Sequence, residues 1–341
     1  MKIFVPDYYR DFKCIADKCT DSCCVGWAIE IDDVTLEKYK KLKGNIGTEL
    51  MSTIDTEGVA SFKCQADGRC ANLDDRGLCK IISRIGEDYL CQICSDHPRY
   101  FNCAFGRCEG GLGLACEVAA DLILSVDRLP KIMEVESADV VYLSDRRSPF
   151  SFSARDYIFS CLFDSERDIC SRLGHLLKLA FAADEVLFDI ICGEVDENTP
   201  AEELLASLHE LPFDFSDFIS VYLPLFADLE MLTEEYSNKM SAAILYATKN
   251  TDSFIEFVTE NEAYTRNLTY YFIHRYLIGE DLTVSDNMTL AIACAVAVMA
   301  LAFLDGVGSH QGFIEAAKDF SKNIEYSTEN IETLLDRIEN V

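Results

Sequence analysis

Cysteine placement constrains this chain more than any other feature. Cys14, Cys19, Cys23 and Cys24 fall within eleven residues, and Cys64, Cys70, Cys79, Cys91, Cys94, Cys103, Cys108 and Cys116 follow before residue 117. Only Cys161, Cys170, Cys192 and Cys294 lie in the remaining two thirds. Thiols gathered at such spacing either hold a soft metal or cluster as thiolates or pair as disulfides. The first residues, Met1 to Phe12, carry one early Lys but no apolar core segment and no small-residue cleavage site, so they do not read as a secretory signal. A cytoplasmic location with reduced thiols is therefore expected, and reduced, clustered thiols read as metal ligands. The plainer reading is buried free thiols, since cysteine is also a common small core residue.

A chain of 341 residues with 49% hydrophobic content and a mean hydropathy of +0.06 can bury a full core in one or two domains. The longest apolar stretch, Leu290–Leu304, is shorter than the roughly 18–20 residues that span a bilayer. Its many alanines suit a helix packed on all sides, and no membrane association is expected. The formal charge of −29 is uneven: residues 1–130 hold 16 Lys and Arg against 21 Asp and Glu, and residues 131–341 hold 14 against 38. Such a surface repels phosphate backbones, so nucleic acid is not expected as a partner. It would favour a basic or lysine-bearing protein, although an acidic surface also serves solubility alone.

Read in order, residues 1–13 look like an aromatic lead-in that packs on the cysteine core. The Cys14–Cys24 run has neither helical nor strand period and reads as a loop wrapped on a metal. A short strand is expected within Trp27–Asp32, then a helix over Val34–Lys43 capped by Asp32 or Asp33 and stopped by Gly44. Gly68 and Gly77 supply turn positions in a second thiol tract. Lys80–Leu90 is expected to be a short helix, ended beyond Cys91-x2-Cys94 by Pro98. Gly106–Gly113 is a glycine-rich tract, and a helix is expected over Cys116–Val126. Residues 131–150 read as a connector with a strand at Val140–Leu143. From Ser153 onward helical periodicity dominates, with helices expected over 153–172, 173–192, 201–209, 214–227, 233–249, 251–261, 263–278, 287–305, 311–324 and 328–339. The expected fold is mainly α: a cysteine-rich metal-binding module with little regular sheet over 1–130, then an acidic all-helical domain over 131–341.

Two Cys-x(2–4)-Cys pairs, such as Cys91-x2-Cys94 and Cys14-x4-Cys19, would suit one tetrahedral zinc. The thiol count exceeds one such site, however. Neighbouring side chains also diverge on extended backbone, so Cys23 and Cys24 serve together only at a tight turn or on different metal atoms. That favours a multi-iron cluster or two sites, while zinc and iron–sulfur centres both accept four thiolates. No G-x-x-x-x-G-K-[ST] loop, no G-x-G-x-x-G motif and no C-x-x-x-C-x-x-C run is present. His97 alone sits among the cysteines and reads first as a turn residue; His175, His209, His274 and His310 read as structural. Tyr264, Tyr270, Tyr271, Phe272 and Tyr276 read as helix core before they read as a cage for a cationic side chain. Asp184, Glu185 and Asp189 read as a solvated face.

The N-terminal motifs resemble one family. These are Cys14-x4-Cys19-x3-Cys23-Cys24-x-Gly26-Trp27, Cys70, Gly77-Leu78-Cys79, Gly86-Glu87-x-Tyr89-Leu90-x3-Cys94-x3-Pro98-Arg99, and Cys116 followed by the apolar run to Leu124. Together they are similar to the flagellin lysine-N-methylase (FliB-type) family, within a broader group of cysteine-rich zinc- or iron-chelating domains. The resemblance covers residues 5–126 with specific motifs, and 150–341 only in helical character and acidity. It implies a protein lysine N-methyltransferase that modifies flagellin or another lysine-bearing protein. The implied methyl donor is S-adenosylmethionine, and the implied cofactor an iron–sulfur cluster of the 4Fe-4S type, with zinc as the alternative. The metal positions it carries over are Cys14, Cys19, Cys23, Cys24, Cys70, Cys79, Cys94 and Cys116. It leaves Cys64, Cys91, Cys103 and Cys108 unplaced, and Glu117 stands where the pattern expects proline. It names no catalytic or donor-binding residue. The alternative function is a non-catalytic metal-binding protein, a structural zinc module or an iron carrier or sensor, whose helical domain binds a partner.

Overall fold

The computed structural model describes residues 2–104, 107–136, 150–206, 213–278 and 283–341, Ala104 by its backbone alone. The fold is mainly α. In chain order the N-terminal part contains β1 (Lys2–Pro6), β2 (Ile29–Glu30), α1 (Asp33–Lys40), α2 (Asn45–Ser52), β3 (Ile54–Asp55), β4 (Ser61–Phe62), α3 (Lys80–Ile85), α4 (Gln92–Asp96), β5 (Arg99–Ala104), β6 (Arg107–Leu112), α5 (Glu117–Leu124) and β7 (Ile132–Glu136). The helical part contains α6 (Phe150–Leu162), α7 (Ile169–Cys192), α8 (Ala201–Leu205), α9 (Phe215–Tyr222), α10 (Glu234–Lys249), α11 (Thr251–Glu260), α12 (Glu262–Tyr276), α13 (Val284–Leu304), α14 (His310–Phe320) and α15 (Thr328–Glu339). Two compact units result. The cysteine unit comprises Lys13–Tyr100 and Cys116–Val118, and the larger unit comprises Met1–Phe12, Phe101–Ala115 and Ala119–Val341.

In the larger unit a four-stranded sheet runs in the order β5-β6-β1-β7. Strand β1 is parallel to β6, with Phe4 opposite Glu109, and antiparallel to β7 from Lys2–Glu136 to Pro6–Ile132. Its period-2 alternation sends Ile3 and Val5 inward against Cys108. The N-terminal residues, expected to pack on the cysteine core, are thus a strand of the other unit. The β-branched Ile3 and Val5 suit a strand, but five residues do not reveal their partner strands. The glycine-rich tract likewise contains strand β6. Strand β7 occupies part of the expected connector, and the strand expected at Val140–Leu143 lies outside the described residues.

The helical core forms around α13, which packs against α7, α10 and α12. Nearly all its residues from Val284 to Ala302 are buried. It is the one described helix long and apolar enough to cross a membrane, and it is enclosed by its neighbours instead. The first two helices differ from the expected boundary at 172/173: Asp164 turns the chain by accepting from Glu166 N at 3.0 Å, and Asp168 caps α7 by accepting from Ser171 N at 3.0 Å. Gly193, at φ 78°, ends α7 in the left-handed conformation that glycine adopts without steric cost.

Asp184 is not merely part of a solvated face. Its two oxygens accept from Val284 N at 2.7 Å and Ser285 N at 3.0 Å, so a carboxylate from α7 meets the N-terminus of α13. An anion there satisfies orphan amides and complements the helix dipole. Asp184→Ala is expected to cost about 1–2 kcal/mol of stability in urea titrations, the range of a lost cap; an unchanged midpoint would remove the role.

The larger unit also buries a charge cluster. Arg155 of α6, 1% exposed, forms a bidentate pair with Glu109 of β6, with Nη2–Oε1 at 3.0 Å, and Arg107 reaches the same carboxylate at 2.6 Å. Burial alone would raise the Glu109 pKa, but the Arg155 charge and hydrogen bonds outweigh it and hold the carboxyl at about 2. His274, fully enclosed beside Phe159 and Tyr270, is pushed down to about 4, chiefly by burial. Tyr270, Tyr271 and Phe272 are buried, as the helix-core reading expects.

Candidate metal centre

The cysteine unit is built from short pieces: a three-stranded sheet ordered β2-β4-β3, helices α1 to α4, and loops. Its apolar core contains Ile29, Ile31, Tyr39, Leu50, Ile54, Phe62, Leu73 and Ile81, together with the thiols of Cys70 and Cys91. Cys24, Cys79 and Cys94 pack against that core from its edge. All eight carried-over cysteines lie in this unit, as do Cys64 and Cys91.

Two similar turns deliver three of the thiols. Cys64 to Cys70 closes on Asp67, which accepts from Arg69 N at 3.1 Å, with Gly68 at φ 79°. Leu73 to Cys79 closes on Asp74, which accepts from Arg76 N and Leu78 N at 2.9 Å each, with Gly77 at φ 77°. Cys64 and Cys70 face each other across an antiparallel bridge flanked by Gln65 N→Arg69 O and Ala71 N→Lys63 O. That is a non-hydrogen-bonded pair, the register in which side chains on one face come closest. Cys64, unplaced by the sequence comparison, is therefore the cross-strand neighbour of Cys70.

Cys23 and Cys24 sit in a turn, not on extended backbone, and their Sγ atoms are 3.9 Å apart. The turn is pinned to the first hairpin by Cys70 N→Cys24 O at 2.8 Å and Gly26 N→Gly68 O at 3.1 Å. A tetrahedral ion with Zn–S distances of about 2.3 Å separates its thiolates by just under 4 Å, so this pair is spaced to share one metal atom.

The Cys91–Cys94 pair is positioned by Asp32. One carboxylate oxygen caps α1 by accepting from Thr35 N at 2.8 Å, and the other accepts from Gln92 N at 2.9 Å at the start of α4. Tyr39, fully buried, donates to the Tyr89 carbonyl at 2.6 Å and fixes the turn leading to Cys91. Interaction with Cys94 lowers the Cys91 pKa, while Cys91 raises that of Cys94. Asp32→Ala removes both acceptors, and an expected loss of about 1–2 kcal/mol should be accompanied by faster metal release to a chelator. Unchanged release would show that α1 and α4 hold their thiols without it.

The electrostatics of these thiols have one theme. Cys24 is held well above an ordinary thiol by its contact with Cys23, by burial, and by Cys70 and Cys79. Cys94 is held up by Cys91, burial, Cys24 and Cys79. Cys19 is pushed up to about 12, first by burial and then by Glu117, Cys116 and Cys14. Thiols that crowd each other in this way do not ionise together without a cation, and a soft metal supplies that charge. The donor chemistry therefore fits a thiolate-held metal or iron–sulfur centre. Among the described residues no three His, Cys, Asp or Glu side chains converge closely enough to hold a single ion as they stand. A 4Fe-4S cluster takes one thiolate per iron and does not require that convergence, whereas a 2Fe-2S cluster takes two, the arrangement that the Cys23–Cys24 spacing would suit.

Glu117, which departs from the motif, has a structural role. It opens α5, and its carboxylate accepts from the Thr20 backbone N at 3.1 Å and from the Thr20 hydroxyl. It ties Cys19 to Cys116 across nearly a hundred residues of chain. Cys103 and Cys108 lie in the larger unit and form a disulfide between β5 and β6. Among the histidines, His97 precedes a cis peptide bond to Pro98 in the cysteine unit. His310 bridges Asp121 at 2.7 Å and the Tyr264 hydroxyl at 3.1 Å in the larger unit, and His209 lies outside the described residues.

Part of the chain is similar to curated proteins. The chain is 28% identical over 131 residues to the flagellar biosynthetic protein FliU of Salmonella muenchen, a match covering 35% of this chain and 75% of FliU. It is also 28% identical over 131 residues to the lysine-N-methylases of Salmonella choleraesuis and Salmonella typhimurium, covering 35% of this chain and 32% of each relative. The FliB-type match spans about a third of the length of the two methylases. No protein-family model matches the chain, and no solved structure matches it.

Proposed function

We propose that the chain is a protein lysine N-methyltransferase. Its substrate is flagellin, its methyl donor S-adenosylmethionine, and its cysteine unit holds an iron–sulfur centre. The observation that carries the reading is the coincidence of two facts. The relatives are named for lysine methylation and flagellar biosynthesis, and the eight cysteines of the FliB-type motif, far apart in sequence, fold into one compact unit. A cytoplasmic location belongs to the same reading, because thiolates that hold a metal must be kept reduced, although Cys103 and Cys108 of the larger unit depart from that expectation by forming a disulfide.

Methyl transfer requires the lysine nitrogen to attack the sulfonium methyl as its C–S bond breaks, with S-adenosylhomocysteine leaving. The amine must be neutral, and its ordinary pKa of about 10.4 means that a proton has to be removed first. The net charge of −29 favours approach of a lysine-bearing surface. An iron–sulfur centre with one iron not held by cysteine would supply a binding point for the amino and carboxylate groups of the donor. The chain's own contribution is to fix the thiols: Asp32 sets Cys91 and Cys94, the two Asp-Gly turns set Cys64, Cys70 and Cys79, and Glu117 sets Cys19 beside Cys116.

The test is transfer of labelled methyl from S-adenosylmethionine to purified flagellin by anaerobically prepared protein, with ε-N-methyl-lysine identified by mass spectrometry. Label on flagellin lysines is the expected result. Metal-replete protein that leaves flagellin unlabelled would overturn the reading and favour the non-catalytic alternative.

A further inference from the structure

The larger unit holds a cavity of about 390 Å³ that the metal chemistry does not use. One wall is the turn Asp7–Asp11 that follows β1, and the other runs from the end of α5 to Pro130. Both walls are tied to their neighbours. Arg10 donates to the Glu134 carbonyl of β7 at 3.1 Å. Arg266 and Asn267 of α12 each donate to the Val126 carbonyl at 2.8 Å, and Asn267 also reaches that of Leu124 at 2.9 Å. Three carboxylates line the cavity against one guanidinium. Asp7 is paired with that guanidinium, Arg128, at 2.6 Å. Asp11 and Asp127 are exposed, and neither carboxylate is hydrogen-bonded or in a contact ion pair among the described residues. Tyr8 adds an independent feature. It is only 8% exposed and lines the cavity, and its hydroxyl has no hydrogen-bond partner among the described residues. That hydroxyl is not sealed inside the fold, as the Tyr236 hydroxyl is, so the cavity is where it can meet a partner. A buried polar group left without a partner is costly, and its native state is to be satisfied.

These groups fit a cation carried on an apolar stem. The excess of negative charge calls for a cation, and Leu122 and Val126 supply apolar wall. The carboxylates do not converge on one point, as an inorganic cation would require. We propose that the cavity is a docking subsite for a lysine side chain of the protein substrate, and that this lysine is not the one methylated. Its ammonium donates to the Tyr8 hydroxyl and is neutralised by Asp11 and Asp127, while its methylenes rest on the apolar wall. Carboxylates beside an ammonium favour its charged form, whereas the attacking amine must be neutral. The subsite therefore binds and does not react. The inference rests on the lysine-bearing substrate of the proposed function and adds where that substrate is held.

The test uses the full chain, prepared anaerobically, and n-butylammonium, which is the lysine side chain without its backbone. Saturation-transfer NMR should show binding of n-butylammonium and none of n-butanol. Tyr8→Phe keeps the buried ring and should weaken binding about tenfold, the worth of a hydrogen bond to a charged group. Asp11→Asn and Asp127→Asn sit at exposed positions that folding tolerates, and each should weaken it roughly two- to fivefold. Binding unchanged in all three variants would overturn the proposal. Displacement of n-butylammonium by micromolar Ca²⁺ or Mg²⁺ would also overturn it and make the cavity a metal site. In methyl transfer to flagellin, the loss in Asp11→Asn/Asp127→Asn should fall on KM and not on kcat. A fall in kcat with KM unchanged would overturn the separation of docking from chemistry. Variant-sensitive n-butylammonium binding by a protein that leaves flagellin unlabelled would support the ammonium site and overturn the methyltransferase reading instead.

Discussion

Stripping the metal from the cysteine unit is expected to unfold that unit while the larger unit keeps its structure. The cysteine unit has two-residue strands, helices of five to eight residues, and a core in which two of the buried side chains are thiols. Domains with cores this small usually depend on an added staple. Structural zinc contributes roughly 10–16 kcal/mol of apparent binding energy in small domains. The apolar core here supplies part of the stability, so a loss of about 5–10 kcal/mol is expected. Hydrogen exchange is the appropriate probe because it resolves the two units: amides in α1 to α4 should lose protection after chelation, and those of α13 should not. Cys94→Ser should reproduce the effect in part. Unchanged protection in α3 and α4 would show that the thiols are packing residues only, the plainer reading that the sequence also permits.

The second large effect is expected at Arg155 in the larger unit. Replacing it by methionine preserves much of the volume and leaves Glu109 buried without its bidentate partner. Breaking a buried pair from one side costs about 3–5 kcal/mol, and the lower end is expected because Arg107 still reaches the carboxylate at 2.6 Å. Arg155→Met/Glu109→Leu should recover much of the loss, since replacing both members of a buried pair by apolar groups is often close to neutral. A double variant as unstable as the single one would mean that Arg155 acts through packing alone. The same cluster sets an acid response. His274 has a folded pKa of about 4, below the ordinary 6.5, so the unfolded chain binds its proton first and stability falls as pH drops from 6.5 toward 4. Glu109, held at about 2 against 4.5, adds a further loss as pH drops from 4.5 toward 2. The expected stability of the larger unit, followed by urea titration, is flat above pH 7 and declines in these two overlapping steps. Stability that holds constant from pH 7 to 4 would contradict the burial of a neutral His274.

Much of the architecture was legible because its signals are local. Asp32 before the α1 periodicity and the apolar run of α13 act over single turns of helix. The same holds for the thiol turns, where Gly68 and Gly77 need a conformation that other residues adopt at a cost. Gly44, expected to stop a helix reaching Lys43, instead precedes α2, and α1 already ends at Lys40. What was not legible is pairwise and distant. Nothing near Ile3 and Val5 says that they pair with β6 and β7, more than a hundred residues away, and nothing near Asp184 says that its oxygens meet the amides of Val284 and Ser285. The candidate site divides in the same way. The resemblance carries over eight cysteines and leaves Cys64 and Cys91 unplaced, whereas the fold puts all ten in one unit, with Cys64 opposite Cys70. Glu117 was visible only as a mismatch, because its meaning lies in Thr20, ninety-seven residues earlier.

The central claim is that the cysteine unit holds metal through thiolates, as an iron–sulfur centre. The most direct measurement is anaerobic purification with iron, acid-labile sulfide and zinc quantified on one sample, alongside its visible spectrum. The account expects iron and sulfide in equal amounts and a broad brown absorption that bleaches on reduction. Colourless protein with zinc and no sulfide, or with no metal and freely titrating thiols, would contradict it.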